Sequence, residues 1–377
     1  MIKKIIKKLL SVLPLTKTII FESYPDFTDN TYPLFIEIIN NEYFKKYKII
    51  WWTSENKKEL SKRFNRKIIT INKNNFINKI RFFYYTYTSK VLICCNRYLF
   101  KKNPKQILFY LTHGLTVKSV RDYYNTPKCV DYFLSTSKHF EDMQSYQFKI
   151  EKEKIISLGY PRNDYFFNSS VDITKLFDKQ YKKYIIWYPT FRQHKGNKIS
   201  HSSISLPIIH DVEKAKIVNE SAKENDVLII LKPHFAQDMS LINGNDFSNI
   251  VIINDDFYKK NNIQAYEFLS KTDALISDYS SVYFDYLFAN KPIALTFEDF
   301  EEYSKNPGFA IDMNKYMAGG IILDNEIDMC DFIKDVANNI DPKEEIRNEI
   351  KDLVFDDISK GASKRVTNFI IKKIKES

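Results

Sequence analysis

Twelve short apolar runs, separated by segments long enough to be helices, restrict this chain more than any other feature of its sequence. Seven lie in the N-terminal half, at Thr18–Glu22, Tyr47–Trp52, Lys67–Ile71, Lys90–Cys95, Gln106–Leu111, Val130–Ser135 and Lys154–Leu158. Five follow at Tyr184–Tyr188, Val227–Lys232, Asn249–Ile253, Asp273–Ser277 and Pro292–Thr296. Most are β-branched or aromatic and do not alternate with polar residues, the pattern of parallel strands buried on both faces. Strands alternating with helices predict an α/β fold, and two such series predict two Rossmann-like halves facing across a cleft. A chain of 377 residues also exceeds the usual size of one hydrophobic core. The polar stretch after Tyr165 is the expected joint, giving an N-terminal domain over 16–170 and a C-terminal domain over 171–377. The second domain is expected to include the terminal helices, where Ile346, Ile350, Leu353, Val366, Ile370 and Ile371 recur at near-helical spacing. A long polar loop is expected from Gln193 to Pro207.

Charge and cysteine usage narrow the setting. A net charge of +10 points to an anionic partner, whether nucleic acid, lipid surface or phosphate-rich substrate. The lysines are dispersed and no nucleic-acid motif occurs, which disfavours the first of these. Four cysteines with no CxxC pair predict a reduced, cytoplasmic protein. No run reaches the ~20 apolar residues that span a bilayer. Residues 1–15 instead place Ile2, Ile5, Ile6, Leu9, Leu10 and Leu13 on one helical face and Lys3, Lys4, Lys7 and Lys8 on the other. A secretory signal would keep its lysines ahead of an unbroken apolar block. The pattern suits a helix lying on an anionic membrane surface, or a terminal helix packed on its own domain.

The common phosphate cradles are missing, with neither GxxxxGK[ST] nor GxGxxG present. A nucleotide would then rest on helix N-termini and side chains at strand ends. Five segments offer such groups. In DALISDYSSVYFDY a strand ends at Asp278, and Ser280 and Ser281 are expected to cap the following helix, making an anion site or merely an ordinary cap. In ILFYLTHGLTVKSV a strand delivers His113 and Gly114 ahead of an expected basic helix carrying Lys118 and Arg121. That histidine could serve as a general base or be structural. VLIILKPHF sets Lys232 and His234 just past a strand. SLGYPRNDY presents Arg162, Asn163 and Asp164 on a turn, where Arg162 could grip a phosphate or pair with Asp164. YPTFR puts Thr190 and Arg192 after the first strand of the second half.

With these motifs in this order, the chain resembles the CDP-glycerol glycerophosphotransferase family, which makes teichoic acids and related capsular polymers. The likeness spans IIFESYPDFTDNTYPLF, KYKIIWWTSE, THG, LGYPRND, YPTFR, SDYSSVYFDYLFANKPI and NPGFAIDM. The resemblance implies a GT-B fold with the donor held mainly by the C-terminal domain. It implies that Ser280 and Ser281 contact the donor phosphates with Arg192 nearby. It also implies that His113 is the general base and His234 a second essential histidine that stabilises developing charge. Gly114, Arg162, Asn163, Asp164, Thr190, Lys232, Asp278 and Asp285 complete the candidate substrate-binding set. Leu115-Thr116 departs from the Thr-Pro or Ile-Pro that commonly follows the His-Gly pair.

The expected reaction moves glycerol phosphate from CDP-glycerol to a lipid-linked or polymer acceptor at the inner face of the cell membrane, releasing CMP. No carboxylate cluster is spaced for a metal, so neither an ion nor a cofactor is expected. The alternatives are a related GT-B transferase using CDP-ribitol or a nucleotide sugar, and a non-catalytic membrane-surface scaffold.

Overall fold

The protein is represented by a computed structural model that describes residues 13–54, 61, 64–65, 67–72, 76–190, 206–234, 239–356 and 360–377. The expected helix at 1–15 falls almost wholly outside the described residues, as do Arg192 and the expected loop from Gln193 up to residue 205.

All twelve apolar runs form strands. The first sheet contains β1 (Thr16–Glu22), β2 (Lys48–Thr53), β3 (Ile68–Asn72), β4 (Ser89–Cys94), β5 (Ile107–Tyr110), β6 (Tyr132–Ser135) and β7 (Ile155–Ser157). Their order is β3-β2-β1-β4-β5-β6-β7 and every pairing is parallel. The second sheet contains β8 (Lys183–Trp187), β9 (Val227–Leu231), β10 (Ile250–Ile252), β11 (Ala274–Ser277), β12 (Ile293–Leu295) and β13 (Ile321–Ile322). Its order is β10-β9-β8-β11-β12-β13, again wholly parallel. The two-residue β13 was not anticipated, because a strand so short leaves no apolar run to read.

The unbroken apolar character of the strands follows from cover on both faces. In β1, Ile19, Ile20 and Phe21 are all fully buried although neighbouring side chains point to opposite faces. Around the first sheet lie α1 (Thr31–Asn40), α2 (Phe76–Thr88) and α3 (Glu141–Phe148). Around the second lie α4 (Val212–Glu224), the single turn α5 (Val282–Tyr286), α6 (Glu326–Ala337) and α7 (Glu344–Val354). Each sheet has its own core, centred on Phe21, Phe35, Trp51 and Phe109 in one and on Trp187, Ile229, Ile276 and Phe332 in the other.

Strand order reverses between β1 and β4 in the first sheet and between β8 and β11 in the second. Crevices at the carboxyl ends of strands beside such reversals are where open parallel sheets bind ligands.

Two expectations are corrected. The last helix, α8 (Ala362–Glu376), belongs to the first compact unit, which takes residues 1–115, 123–164 and 357–377 as far as they are described. The second unit takes 116–122 and 165–356. The physical reason is the apolar stripe of α8. Val366 and Ile370 are fully buried in the core around Phe35 and Phe109, and the Phe369 ring meets Tyr132 edge-on at 5.1 Å. The basic helix expected at Lys118 and Arg121 does not form either. That stretch pairs backbone to backbone within the second unit, Ser119 N donating to Gly308 O at 2.9 Å and Ala310 N to Val117 O at 2.8 Å. Amides and carbonyls used in this way are lost to a helical turn.

Candidate functional site

In the first unit the chemistry gathers at the carboxyl ends of β1, β4 and β5, beside the order reversal. The loop after β1 runs through Asp29, whose backbone is left-handed at φ +57°, to Asn30. The loop after β5 reaches His113 through Thr112, also left-handed at φ +51°, and continues into Gly114 at φ +134°, a conformation that glycine tolerates best. Asn30 ties the two loops together. Its Nδ2 donates to the carbonyls of Leu111 (3.2 Å) and Thr112 (3.1 Å), and its Oδ1 accepts from the Arg162 amide at 3.2 Å.

His113 is well exposed, with Nδ1 3.4 Å from Asp29 Oδ2 and 3.3 Å from Asn96 Nδ2. A proton on Nδ1 therefore faces a carboxylate, and an unprotonated Nδ1 accepts from an amide. The Asn96 side chain is oriented by its Oδ1, which accepts from Tyr24 N at 3.0 Å. Arg162 is almost fully buried, and its Nη1 donates to Asp29 Oδ1 at 2.8 Å and to His113 O at 3.0 Å. Burial alone would raise the Asp29 carboxyl, but Arg162 and then His113 outweigh it and hold the group below its ordinary value.

The remaining members of that turn face inward. Asn163 is buried. Asp164 Oδ1 accepts from the amides of Gly361 (2.9 Å) and Ala362 (2.8 Å), and its Oδ2 from Ser363 (2.9 Å). Asp164 thus holds the start of α8, and Arg162 pairs with Asp29 rather than with its neighbour Asp164.

In the second unit Thr190 and Asp278 again sit at strand ends beside the reversal. Asp278, just past β11, is fully buried and takes the Thr190 amide on Oδ2 at 2.8 Å and the Thr190 hydroxyl on Oδ1. That couple joins the loops after β8 and β11, the strands on either side of the reversal. Ser280 and Ser281 are half-buried before α5. Ser280 Oγ lies 3.4 Å from Val282 N, whereas the Ser281 hydroxyl makes no cap bond, so capping here is weaker than the sequence suggests. Asp285 is buried and accepts from Tyr266 Oη at 2.6 Å, a fold-stabilising contact. Lys232 and exposed His234 line a cavity of about 400 Å³ past β9, with Asn254, Asp255, Ser240 and Asn243. Lys232 Nζ is 3.1 Å from Asp255 Oδ1.

With this arrangement in view, residues 5–372 match the family described as CDP-glycerol:poly(glycerophosphate) glycerophosphotransferase. The chain belongs to that family. It is an enzyme, a CDP-glycerol glycerophosphotransferase of the GT-B type. Among curated relatives, the teichoic acid poly(glycerol phosphate) polymerase of Bacillus spizizenii is 25% identical over 359 residues, covering 86% of this chain and 85% of the relative. The teichoic acid glycerol-phosphate transferase of Staphylococcus aureus is 28% identical over 218 residues, covering 55% and 51%. Among solved structures, the wall teichoic acid polymerase TagF superposes with a TM-score of 0.74 at 20% identity, over 100% of this chain and 96% of that one, and so supports the fold.

For a member of this glycerophosphotransferase family, three first-unit residues were missed by sequence reading: Asp29, Asn30 and Asn96. Asp29 and Asn30 stand in the quoted YPDFTDN run, where three polar residues before an apolar helix were the available signal. Asn96, after the Cys94-Cys95 strand end, carried none. Among the described residues, no helix is long and apolar enough to cross a membrane.

Proposed function

We propose that this glycerophosphotransferase moves glycerol phosphate from CDP-glycerol onto a teichoic-acid or capsular polymer acceptor at the cytoplasmic face of the membrane. An acceptor hydroxyl attacks the β-phosphorus, the bond from that phosphorus to the CMP oxygen breaks, and CMP leaves. His113 takes the hydroxyl proton. Ser280, Ser281, Thr190, Lys232, Arg192 and His234 would bind the donor and spread charge on the transferred and leaving phosphates, since phosphoryl transfer rests mainly on positioning and electrostatics. The observation that carries the reading is His113, exposed at the edge of the first sheet beside its order reversal, with Nδ1 3.4 Å from the Asp29 carboxylate. The polymerase and transferase names of the relatives support the acceptor class. The net charge of +10 and the basic pattern of residues 1–15 support the membrane face.

The test is CMP release from CDP-glycerol by purified protein with a lipid-linked acceptor. His113→Ala should lower turnover about 10²- to 10⁴-fold, the usual contribution of a general base. Full turnover in that variant would remove His113 from the role. Cosedimentation with anionic but not zwitterionic vesicles checks the membrane component.

A second donor has one specific observation in its favour. A teichoic acid poly(ribitol-phosphate) polymerase of Bacillus spizizenii is 28% identical over 236 residues. Mass analysis of the product formed with CDP-glycerol and with CDP-ribitol decides between the two.

A further inference from the structure

We infer that Asp29 is a positioning residue for His113: with Nδ1 set between Asp29 and Asn96, the ring takes the acceptor proton on Nε2 and shares the resulting charge with the Asp29 carboxylate. This rests on His113 being the base proposed above.

Two non-glycine residues in left-handed backbone, Asp29 and Thr112, flank the couple on its two loops. Such conformations are strained for non-glycine residues and persist where surrounding contacts enforce them. Those contacts are on hand. Arg162 Nη1 bridges Asp29 Oδ1 and the His113 carbonyl, and the Asn30 side chain fastens the end of β5 to the Arg162 amide. Arg162 thereby braces the couple. Because Arg162 and His113 keep Asp29 ionised despite burial, the carboxylate stays available as the counter-charge to a protonated ring.

The other groups around the ring do not substitute for it. Asn96 is uncharged. The Cys95 thiol, bonded to Thr112 O at 2.7 Å, is kept protonated by burial. Glu22 turns its Oε2 to the amides of Asn96 (3.4 Å) and Arg97 (3.0 Å). Among the described residues, Asp29 is thus the carboxylate in ion-pairing range of His113.

The experiment is the pH dependence of kcat and kcat/KM for wild type, Asp29→Asn and Asp29→Glu, together with NMR titration of the His113 ring assigned with His113→Gln. Removing the anion makes His113 easier to deprotonate. The acid limb of Asp29→Asn should therefore move down by about one pH unit, and kcat should fall roughly 10- to 100-fold with KM within about twofold. Asp29→Glu should recover part of kcat. The His113 ring should titrate at higher pH in the wild type than in Asp29→Asn. An unchanged profile in a folded Asp29→Asn, or a His113 ring that titrates at the same pH in the two proteins, overturns the inference. Should the wild type consume neither CDP-glycerol nor CDP-ribitol, the proposed reaction fails, while the ring titration still decides whether Asp29 and His113 are coupled.

Discussion

Arg162 shows how a residue's surroundings redirect its chemistry. From sequence it could have been a phosphate grip on an exposed turn, yet it is 4% exposed at the side chain and spends its guanidinium on Asp29 and the His113 backbone. The same pairing gives a stability consequence. The folded-state pKa of Asp29 lies below its ordinary 3.8, so its contribution to stability is present above that value and is lost as pH falls through the folded pKa. The stability gap between wild type and Asp29→Asn should accordingly be full near neutrality and close under acid conditions below pH ~4. Chemical denaturation of both proteins across that range measures it, and a gap independent of pH would contradict the charge argument. Of the residues named from sequence, His113, Thr190, Asp278, Lys232 and His234 stand at strand ends as expected. Asp164 and Asp285 turn inward to hold α8 and Tyr266.

At the scale of elements, α8 depends on a distant residue. Its first amides, of Gly361, Ala362 and Ser363, all donate to the Asp164 carboxylate, so the acceptor for this helix start comes from a turn about two hundred positions earlier in the chain. Helix N-termini leave amides without internal partners, and an acidic acceptor there also meets the positive end of the dipole. Asp164→Ala should cost about 1–2 kcal/mol, the range for losing a helix cap. Hydrogen exchange should quicken first in the opening turn of α8. Asp164→Asn, which keeps an acceptor oxygen, should cost less, and equal losses would point to charge alone. The segment at 116–122 teaches the complementary lesson. Its composition permits a helix, but backbone pairing with Gly308 and Ala310 satisfies the same groups in an extended form.

For the whole molecule, the consequence of α8 joining the first unit is that its stripe completes a core begun at β1. Ile370→Ala should destabilise by about 2–5 kcal/mol, the usual range for a buried isoleucine. Faster hydrogen exchange in β1, β4 and β5, with β8, β9 and β11 unaffected, would place the loss in the first unit. Uniform change in both sheets would show that the two cores do not respond separately. The sequence by itself determined the strands, their parallel burial and the two-sheet α/β class. Those features rest on local composition, because a strand covered on both faces must be apolar throughout. It also marked His113, Thr190 and Asp278, since strand-end turns can be read from the strands before them. The tertiary structure alone decided that Asp29 meets His113, that Arg162 serves that pair, and which unit receives α8. The first two join loops that follow β1, β5 and β7, from positions as far apart as Asp29 and Arg162, and the third follows from the apolar stripe that α8 adds to the first core. Contacts of that kind leave no periodic trace in the chain, and only packing and hydrogen-bond satisfaction select them.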